Sequence, residues 1–492
     1  MARIPSLGPS ERERFDLVAR AAFANPFSEE RDELDYRIIG ERCAPEIALE
    51  RLLGTVSDLA RELMNRGRGR LDQFTPSDRP LVEIVLLFDA FHRFILPLDE
   101  HIEAQETGGE EPIPAPFARP LLGLLGERGF PPAMARRHLE LFFQLRRAFH
   151  FIQRRLVGHA PCMRRLRMHL WNNVFSHDLA AYDAYLQPRM EDFSTMLLGE
   201  TGSGKGAAAA AIGRSGYIPF DEKRGRFVES FTHAFTAINL SQYPETLIES
   251  ELFGHKKGAF TGAIESHRGV FSRCSPHGVL FLDEIAEIGV PVQVKLLKVL
   301  EDRRFTPLGS HAVERFGGRV IVATNRPLAA LRQSGAFRDE LFYRVSSDII
   351  HFPPLRERIA EEPAELEALV LNAVRMMTGE AEAKVGDRVA EAIRDGVGRA
   401  YDWPGNVREV EQAVRSVLLT GRYEGDPAAD DGAHGGDEAL VRRMAEGTFD
   451  ADGLLSEYAA LLHRRHGTYE EVARRMKLDR RTVKKYLTGR PG

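Results

Sequence analysis

TMLLGETGSGKGAAAAAI, residues 195–212, passes from a short apolar run through four glycines into a polyalanine segment. Strand, glycine-rich loop and helix in that order is the context a phosphate-binding P-loop requires. Backbone N–H groups of Gly202, Ser203 and Gly204 are placed to wrap phosphates, and the N-terminus of the helix that follows adds a favourable dipole. Lys205 is the residue to reach the terminal phosphates of ATP; Gly199, Glu200, Thr201 and Gly206 complete the loop. Gly206 has no hydroxyl to hold Mg²⁺, which departs from the general P-loop pattern.

The neighbouring runs extend this reading. AFTAINL (234–240), GVLFLDE (278–284), RVIVATN (319–325) and DIIHF (348–352) are short and apolar and alternate with helical stretches. That alternation predicts a wound parallel sheet. GVLFLDE ends in Asp283-Glu284, where Asp283 is placed to bind Mg²⁺ and Glu284 to polarise an attacking water. An acidic pair at a strand end also serves merely to solvate a sheet edge; downstream of a P-loop the catalytic reading is preferred. Thr324 and Asn325 end another strand as candidates to report on the γ-phosphate. Asn239 ends a third, and on spacing alone is only a strand cap.

The whole chain has 492 residues, too many for one core, and its length suggests roughly three domains. With 43% hydrophobic and 28% charged residues the composition is globular, and a net charge of −5 makes any nucleic-acid role local rather than global. Cys43, Cys162 and Cys274 lie far apart without metal-ligand spacing, which fits a reducing cytoplasm. The N-terminus has no signal-peptide core, and Glu83, Asp89, His92 and Arg93 interrupt the most apolar stretch, so a membrane span is not expected.

Residues 1–155 read as all-helical, with Leu81, Ile84, Val85, Phe88, Phe91 and Ile95 at helical spacing. VLLFDAF (85–91) raises the alternative of a strand ending in a phospho-acceptor, Asp89, but no strand–helix alternation surrounds it. This region is expected to be a regulatory module whose signal the sequence does not name. Residues 156–360 form the expected α/β core, 361–423 a helical lid, and 424–450 an acidic, glycine-rich linker. In 451–492, TYEEVARRM (468–476), KLD and RRTVKKYL (480–487) outline a helix-turn-helix, with Arg480, Arg481, Thr482, Lys484 and Lys485 presented to DNA. A solvated basic helix is the plainer alternative. Lys477 stands where such turns often carry glycine.

GETGSGKG (199–206), INLSQYPETLIESELFGHKKGAFTGA (238–263), GVLFLDEIAEI (278–288), KLLKVLEDRRFTPLGS (295–310), ATNRPL (323–328), FRDELFYRV (337–345), PPLRER (353–358) and WPGNVREVE (403–411) occur in this order. Together they resemble the AAA+ domain of the sigma-54-dependent transcription activators, over about residues 157–423. The resemblance implies an ATPase whose GAFTGA loop, Gly258, Ala259, Phe260, Thr261, Gly262 and Ala263, grips the sigma-54 factor, with Phe260 and Thr261 as the contact. It implies arginine fingers, Arg338 and Arg344, reaching a neighbouring subunit's γ-phosphate, and hence a homo-oligomeric ring, taken as hexameric. Arg408 becomes a nucleotide sensor in the lid, and Asn239 a switch residue holding Glu284. Where the family usually has Glu after the P-loop lysine, this chain has Gly206. The implied partners are sigma-54 RNA polymerase and upstream enhancer DNA, bound through dimeric pairing of the C-terminal domain; ATP and Mg²⁺ are the implied ligands. Two other readings stay open: an AAA+ remodeller or chelatase-like motor with no promoter role, and a DNA-binding repressor with a degenerate nucleotide site.

Overall fold

The computed structural model describes residues 6–379, 383–398, 401–425, 444 and 449–488. The chain divides into two compact units, Met1–Ala390 with Gly405–Val414, and Glu391–Pro404 with Arg415–Gly492.

The first unit begins with helices Pro9–Phe23, Glu29–Ile39, Pro45–Asn65, Arg79–Arg93, Ile95–Gly108, Ala118–Glu127 and Pro132–Arg155. Local chemistry starts and stops them. Ser28 Oγ accepts from the Arg31 N–H at one N-terminus, and Gly40 takes φ +81° to end the same helix. Val82, Val85 and Leu86, spaced three and four apart with Phe88 and Ala90, fill the buried face of Arg79–Arg93. Asp89 lies on that helix and is buried. Its carboxylate binds Arg128, the Arg93 Nε at 2.9 Å and the Ser57 hydroxyl at 2.7 Å. It is a structural counter-ion in a helical core and ends no strand.

The main sheet that follows has five strands: β1 Thr195–Leu198, β2 Phe235–Asn239, β3 Val279–Asp283, β4 Arg319–Thr324 and β5 Asp348–His351. They pair in parallel in the order β2-β3-β4-β1-β5. Every residue of β4 is buried, as expected of a strand with packed layers on both faces. The order reverses at β1, which lies between β4 and β5, so a crevice opens beyond its carboxyl end. The glycine-rich loop leaves β1 into that crevice and continues as helix Lys205–Gly213. On the other side of the same helix lies Pro132–Arg155, and a single apolar cluster runs from Phe15 through Phe143 and Ile212 to Phe352.

In the second unit, helices Ala451–His466, Tyr469–Met476 and Arg480–Thr488 enclose Ala459, Leu462, Val472 and Val483. Thr468 and Asp479 accept backbone N–H groups at the starts of the last two helices. Lys477 takes φ +56°, the left-handed turn conformation that glycine adopts without strain. Apart from residues 424, 425, 444, 449 and 450, the acidic glycine-rich segment 424–450 lies outside the described residues. Among the described residues no helix is long and apolar enough to cross a membrane.

Candidate functional site

A cavity of about 460 Å³ lies in the crevice beyond β1. Residues 201–206 of the loop form one wall and Asn239, Asp283 and Glu284, from the ends of β2 and β3, another. Val407, Arg408 and Glu411 of helix Asn406–Thr420 face them.

The loop geometry follows from its glycines. Gly202 takes φ +77°, and a Cβ there would lie 2.2 Å from the Gly405 carbonyl oxygen. Only a bare backbone permits that approach. Gly204 takes φ +105° and is open on its Cβ side, which leaves room for a bulky anion against the backbone. Gly206 is also open, so no neighbouring group excludes a side chain at this position. Lys205 is buried, and Nζ donates to the Gly199 and Glu200 carbonyls at 2.7 and 2.9 Å. Burial pulls its pKa down, while Glu284 and Asp283 oppose that shift.

The acidic pair has the opposite problem. Burial raises the pKa of Asp283, and burial together with the Asp283 charge raises that of Glu284. Glu284 Oε2 is buried without a hydrogen-bond partner, on a residue held at φ +55°. Two adjacent carboxylates with raised pKa values and an orphaned oxygen suit a divalent cation, whose charge removes both penalties. No cluster of three or more His, Cys, Asp or Glu side chains that could hold a metal occurs among the described residues. Mg²⁺ fits such a site, since it takes one or two carboxylates and completes its shell with substrate phosphates and water.

The segment between helix Glu245–Phe253 and helix Val270–Arg273 is a folded hairpin. His255 and His267 exchange backbone hydrogen bonds at 3.0 and 2.9 Å, and the Gly258 N–H closes on the Ala263 carbonyl at 2.8 Å. Gly258 and Gly262 take φ +82° and +100°, so the turn depends on residues that tolerate the left-handed region. Thr261 is exposed at the tip, Ala263 is buried, and Ala259 packs over Gly309. The Phe260 ring is 38% exposed and sits edge-on to His255 at 4.9 Å.

Residues 179–351 match the family described as Sigma-54 interaction domain. The chain carries a sigma-54 interaction domain. Curated relatives include the Nif-specific regulatory protein of Azotobacter vinelandii, 36% identical over 54% of this chain and 44% of that protein. The DNA-binding transcriptional activator HyfR of Escherichia coli (strain K12) is 39% identical over 46% of this chain and 32% of its own length. The anaerobic nitric oxide reductase transcription regulator NorR of Aeromonas hydrophila is 33% identical over 55% and 47%. The aligned part thus spans less than half the length of each of these three relatives. Among solved structures, NtrX from Brucella abortus in complex with ATP aligns over 75% of this chain and 79% of its own, at 20% identity and a TM-score of 0.41.

Other residues singled out in the sequence fall at the edges of this cavity or away from it. Gly199 and Glu200 underlie the loop. Arg356 holds the Glu200 carboxylate at 2.6 Å, with help from Asn406, and keeps its pKa below the usual range. Asn325 Nδ2 donates to Thr201 Oγ1 at 2.8 Å and so braces the loop. Thr324 points the other way: it is buried and accepts from the Arg326 N–H. Asn239 Oδ1 accepts from the Ser241 N–H and hydroxyl at 3.0 and 2.7 Å, and the buried Glu284 Oε2 has no hydrogen-bond partner, Asn239 included. Arg338 and Arg344 do not line the cavity. The first contacts Glu340 at 3.3 Å, and the second donates to the Leu300 carbonyl. In the second unit Arg480, Arg481, Lys484 and Lys485 are exposed along the last helix, while Thr482 caps onto Asp479.

Three features were not foreseen from the sequence. Asn406, fully buried at φ +54°, donates to Glu200 Oε2 and to the Thr201 carbonyl at 3.1 Å, and accepts from the Leu355 N–H at 2.7 Å. The conspicuous Gly-Asn pair within WPGNVREVE was the available signal. Leu156 and Val157 close one side of the cavity, and Leu369 another. Nothing local marks these apolar positions as wall residues.

Proposed function

We propose that the chain is a sigma-54-dependent transcriptional activator. On this reading it is a ring-forming AAA+ ATPase that uses ATP hydrolysis to remodel sigma-54 RNA polymerase from the closed to the open promoter complex. The observation that carries the reading is a mechanical connection. Asn239 and Ser241 line the cavity, and the chain runs from them through one helix, Glu245–Phe253, into the hairpin that exposes Phe260 and Thr261. A change in the cavity therefore has a short, stiff path to an apolar tip suited to grip a protein partner.

In the chemical step, loop N–H groups and Lys205 hold the phosphates, and Glu284 orients and polarises the attacking water. Mg²⁺, held by Asp283, supplies charge neutralisation at the phosphates when bound. The raised pKa of Glu284 supports a base role, since its carboxylate is poorly solvated and accepts a proton more readily than a free glutamate. Arg338 and Arg344 act in trans on a neighbouring protomer's γ-phosphate, which agrees with their absence from their own cavity and calls for a homo-oligomeric ring, taken as hexameric. Arg408 reports the nucleotide state from the opposing helix. Arg480, Arg481, Thr482, Lys484 and Lys485 bind upstream DNA as the second helix of a helix-turn-helix, paired as a dimer. Residues 1–155 serve as the regulatory module, 156–360 as ATPase core, 361–423 as lid, 424–450 as linker and 451–492 as DNA-binding domain.

Thr261→Ala tests the assignment. ATP hydrolysis should persist while open-complex formation by sigma-54 RNA polymerase is lost; activation that survives the change rules the reading out.

A further inference from the structure

A second cavity, of about 340 Å³, lies at the opposite edge of the sheet, beside the amino ends of β3 and β4. Its volume falls within the range of small-molecule sites, about 300–1,000 Å³. It takes in the far end of the P-loop helix. Ile212 lines it, about 10 Å along that helix from Lys205 by rise alone, and Gly216 lines it just past the helix end.

Its walls combine apolar area with buried polar groups. Val174, Ile212 and Val279 supply aliphatic surface, and Tyr182 and Tyr217 supply rings. Most polar valences are already used. Gln144 Nε2 donates to the Tyr182 hydroxyl at 2.7 Å and to the Ser215 carbonyl at 3.0 Å, and the Tyr217 hydroxyl donates to Glu140. Arg319 differs. It is 8% exposed and its guanidinium makes four hydrogen bonds, to the Phe193 and Asn173 carbonyls, Asn173 Oδ1 and Thr195 Oγ1. A guanidinium has five N–H groups, so one is left over. Burial pulls the Arg319 pKa down to about 10, the mark of a cation short of solvation.

One wall is built to deform. Residues Tyr182–Leu186 are π-helical and Gln187–Asp192 continue as a 3₁₀ turn, and this irregular run contributes Tyr182, Met190 and Glu191 to the cavity. Single-turn π-helices are frequent at functional sites.

The cavity is also wired to the nucleotide loop. Arg147, fully buried on the same helix as Gln144, donates to the Arg214 and Gly216 carbonyls at 2.6 and 2.8 Å, just past the end of the P-loop helix. Its guanidinium lies 4.4 Å from the Phe143 ring centroid and 5.6 Å from that of Phe231. Gln144 and Arg147 thus hold the carbonyl end of the helix whose amino end forms the phosphate site.

We propose that this cavity is an effector site for a monocyclic aromatic compound bearing one carbonyl-type acceptor, with the ring between the tyrosines and the acceptor on Arg319. Occupancy is read out as a shift of the P-loop helix and hence of nucleotide affinity. The readout rests on the nucleotide reading of the first cavity, whereas binding does not.

Calorimetric titration of the full chain with benzamide and with benzoate tests the proposal; the two arms separate a neutral from an anionic acceptor. At least one should bind saturably. Met190→Trp and His277→Trp, which fill the cavity from different segments outside the nucleotide site, should each abolish that binding and leave ATP binding measured without probe unchanged. Circular dichroism checks folding, and either variant suffices if the other misfolds. Saturating probe should move the ATP Kd by about fivefold or more, with ATP moving the probe's Kd equally. Absence of saturable binding by both probes, or binding that survives in a folded variant, overturns the site. Binding that both variants abolish but that leaves ATP affinity unmoved overturns the readout. A wild-type chain that binds probe but no ATP refutes the nucleotide reading instead.

Discussion

Asn406→Ala is the most discriminating perturbation of the nucleotide site, because one side chain satisfies three partners on two segments. Leu355 is buried and heads a short helix, so its N–H has no intrahelical acceptor and depends on Asn406 Oδ1 at 2.7 Å. Leaving that donor unpaired costs about 1–3 kcal/mol. The bond from Nδ2 to the Glu200 carboxylate is charge-assisted and contributes about 1.5 kcal/mol, discounted here because Glu200 is partly exposed and retains Arg356. At φ +54° an alanine adds about 1 kcal/mol of backbone strain. The sum is about 4.5 kcal/mol against the closed arrangement of loop and helix. Expressed as local opening, that is roughly a thousandfold faster hydrogen exchange at the Leu355 amide, read by mass spectrometry on a peptide that begins before residue 353 and runs through 361. Asn406→Gly separates the contributions. It loses the same hydrogen bonds but not the left-handed penalty, so it should exchange about fivefold more slowly than the alanine variant. Unchanged protection at Leu355 in Asn406→Ala, or identical behaviour of the two variants, would falsify the assignment of these roles to Asn406.

Gly202→Ala should weaken ATP binding severely, since its Cβ meets the Gly405 carbonyl and its φ is positive, whereas Gly206→Ser faces open space and should bind ATP while keeping stability within about 0.5 kcal/mol of wild type. Equal effects of the two on ATP Kd and melting temperature count against the cradle described. Glu284→Gln should abolish hydrolysis yet melt higher than wild type at neutral pH. The carboxylate's folded pKa is raised above its ordinary 4.5, so the ionised form destabilises the fold above that raised value and the penalty fades as pH falls toward 4.5. Thermal scans across that window should show the advantage of the glutamine variant shrinking on acidification; an advantage that grows instead reverses the assigned direction. Lys205→Ala should lose nucleotide binding altogether in a calorimetric titration, and retained binding would place the phosphates elsewhere.

What was legible in the sequence is what local chemistry determines. A strand that ends in a glycine-rich turn before a helix has few other folds to adopt, so 195–212 fixed both β1 and the loop. Asp283-Glu284 was equally readable as a pair at the crevice, and both line it because Glu284 turns out of strand geometry at φ +55°. Thr324 and Asn325 show where such reasoning stops. Consecutive residues at a strand end point to opposite sides, so when Asn325 reaches Thr201, Thr324 turns inward to cap Arg326. Sequence offers no sign of which of the two faces the loop. Asn406 was hidden for a different reason: its partners lie near residues 200 and 355, and only tertiary closure brings them together. The apolar walls at Leu156, Val157 and Leu369 were likewise invisible, since a side chain that lines a cavity looks in sequence like any core residue. Helical periodicity places Asp89 on a helix, as the structure has it, whereas its two arginine partners come from tertiary packing that periodicity does not show.

On the proposed function, the hairpin's resting arrangement is that of an output held in check. Phe260 is only 38% exposed because its ring packs on His255, and the His255 imidazole is held by the Ser250 hydroxyl at 2.7 Å. Ser250 belongs to the helix that starts beyond Ser241, where the Asn239 side chain is bound. A nine-residue helix transmits displacement along its axis with little loss, since its hydrogen bonds are all internal. Any rearrangement that releases Asn239 from Ser241 therefore acts on the element that carries the support of Phe260. Ile264, at 76% exposure, has no such support and is the most open apolar side chain of the hairpin. The tip thus contains one aromatic group docked on the base and one aliphatic group already presented. A partner that grips both needs the docked ring to lift, which makes strong engagement conditional on the state of the nucleotide cavity rather than on encounter alone.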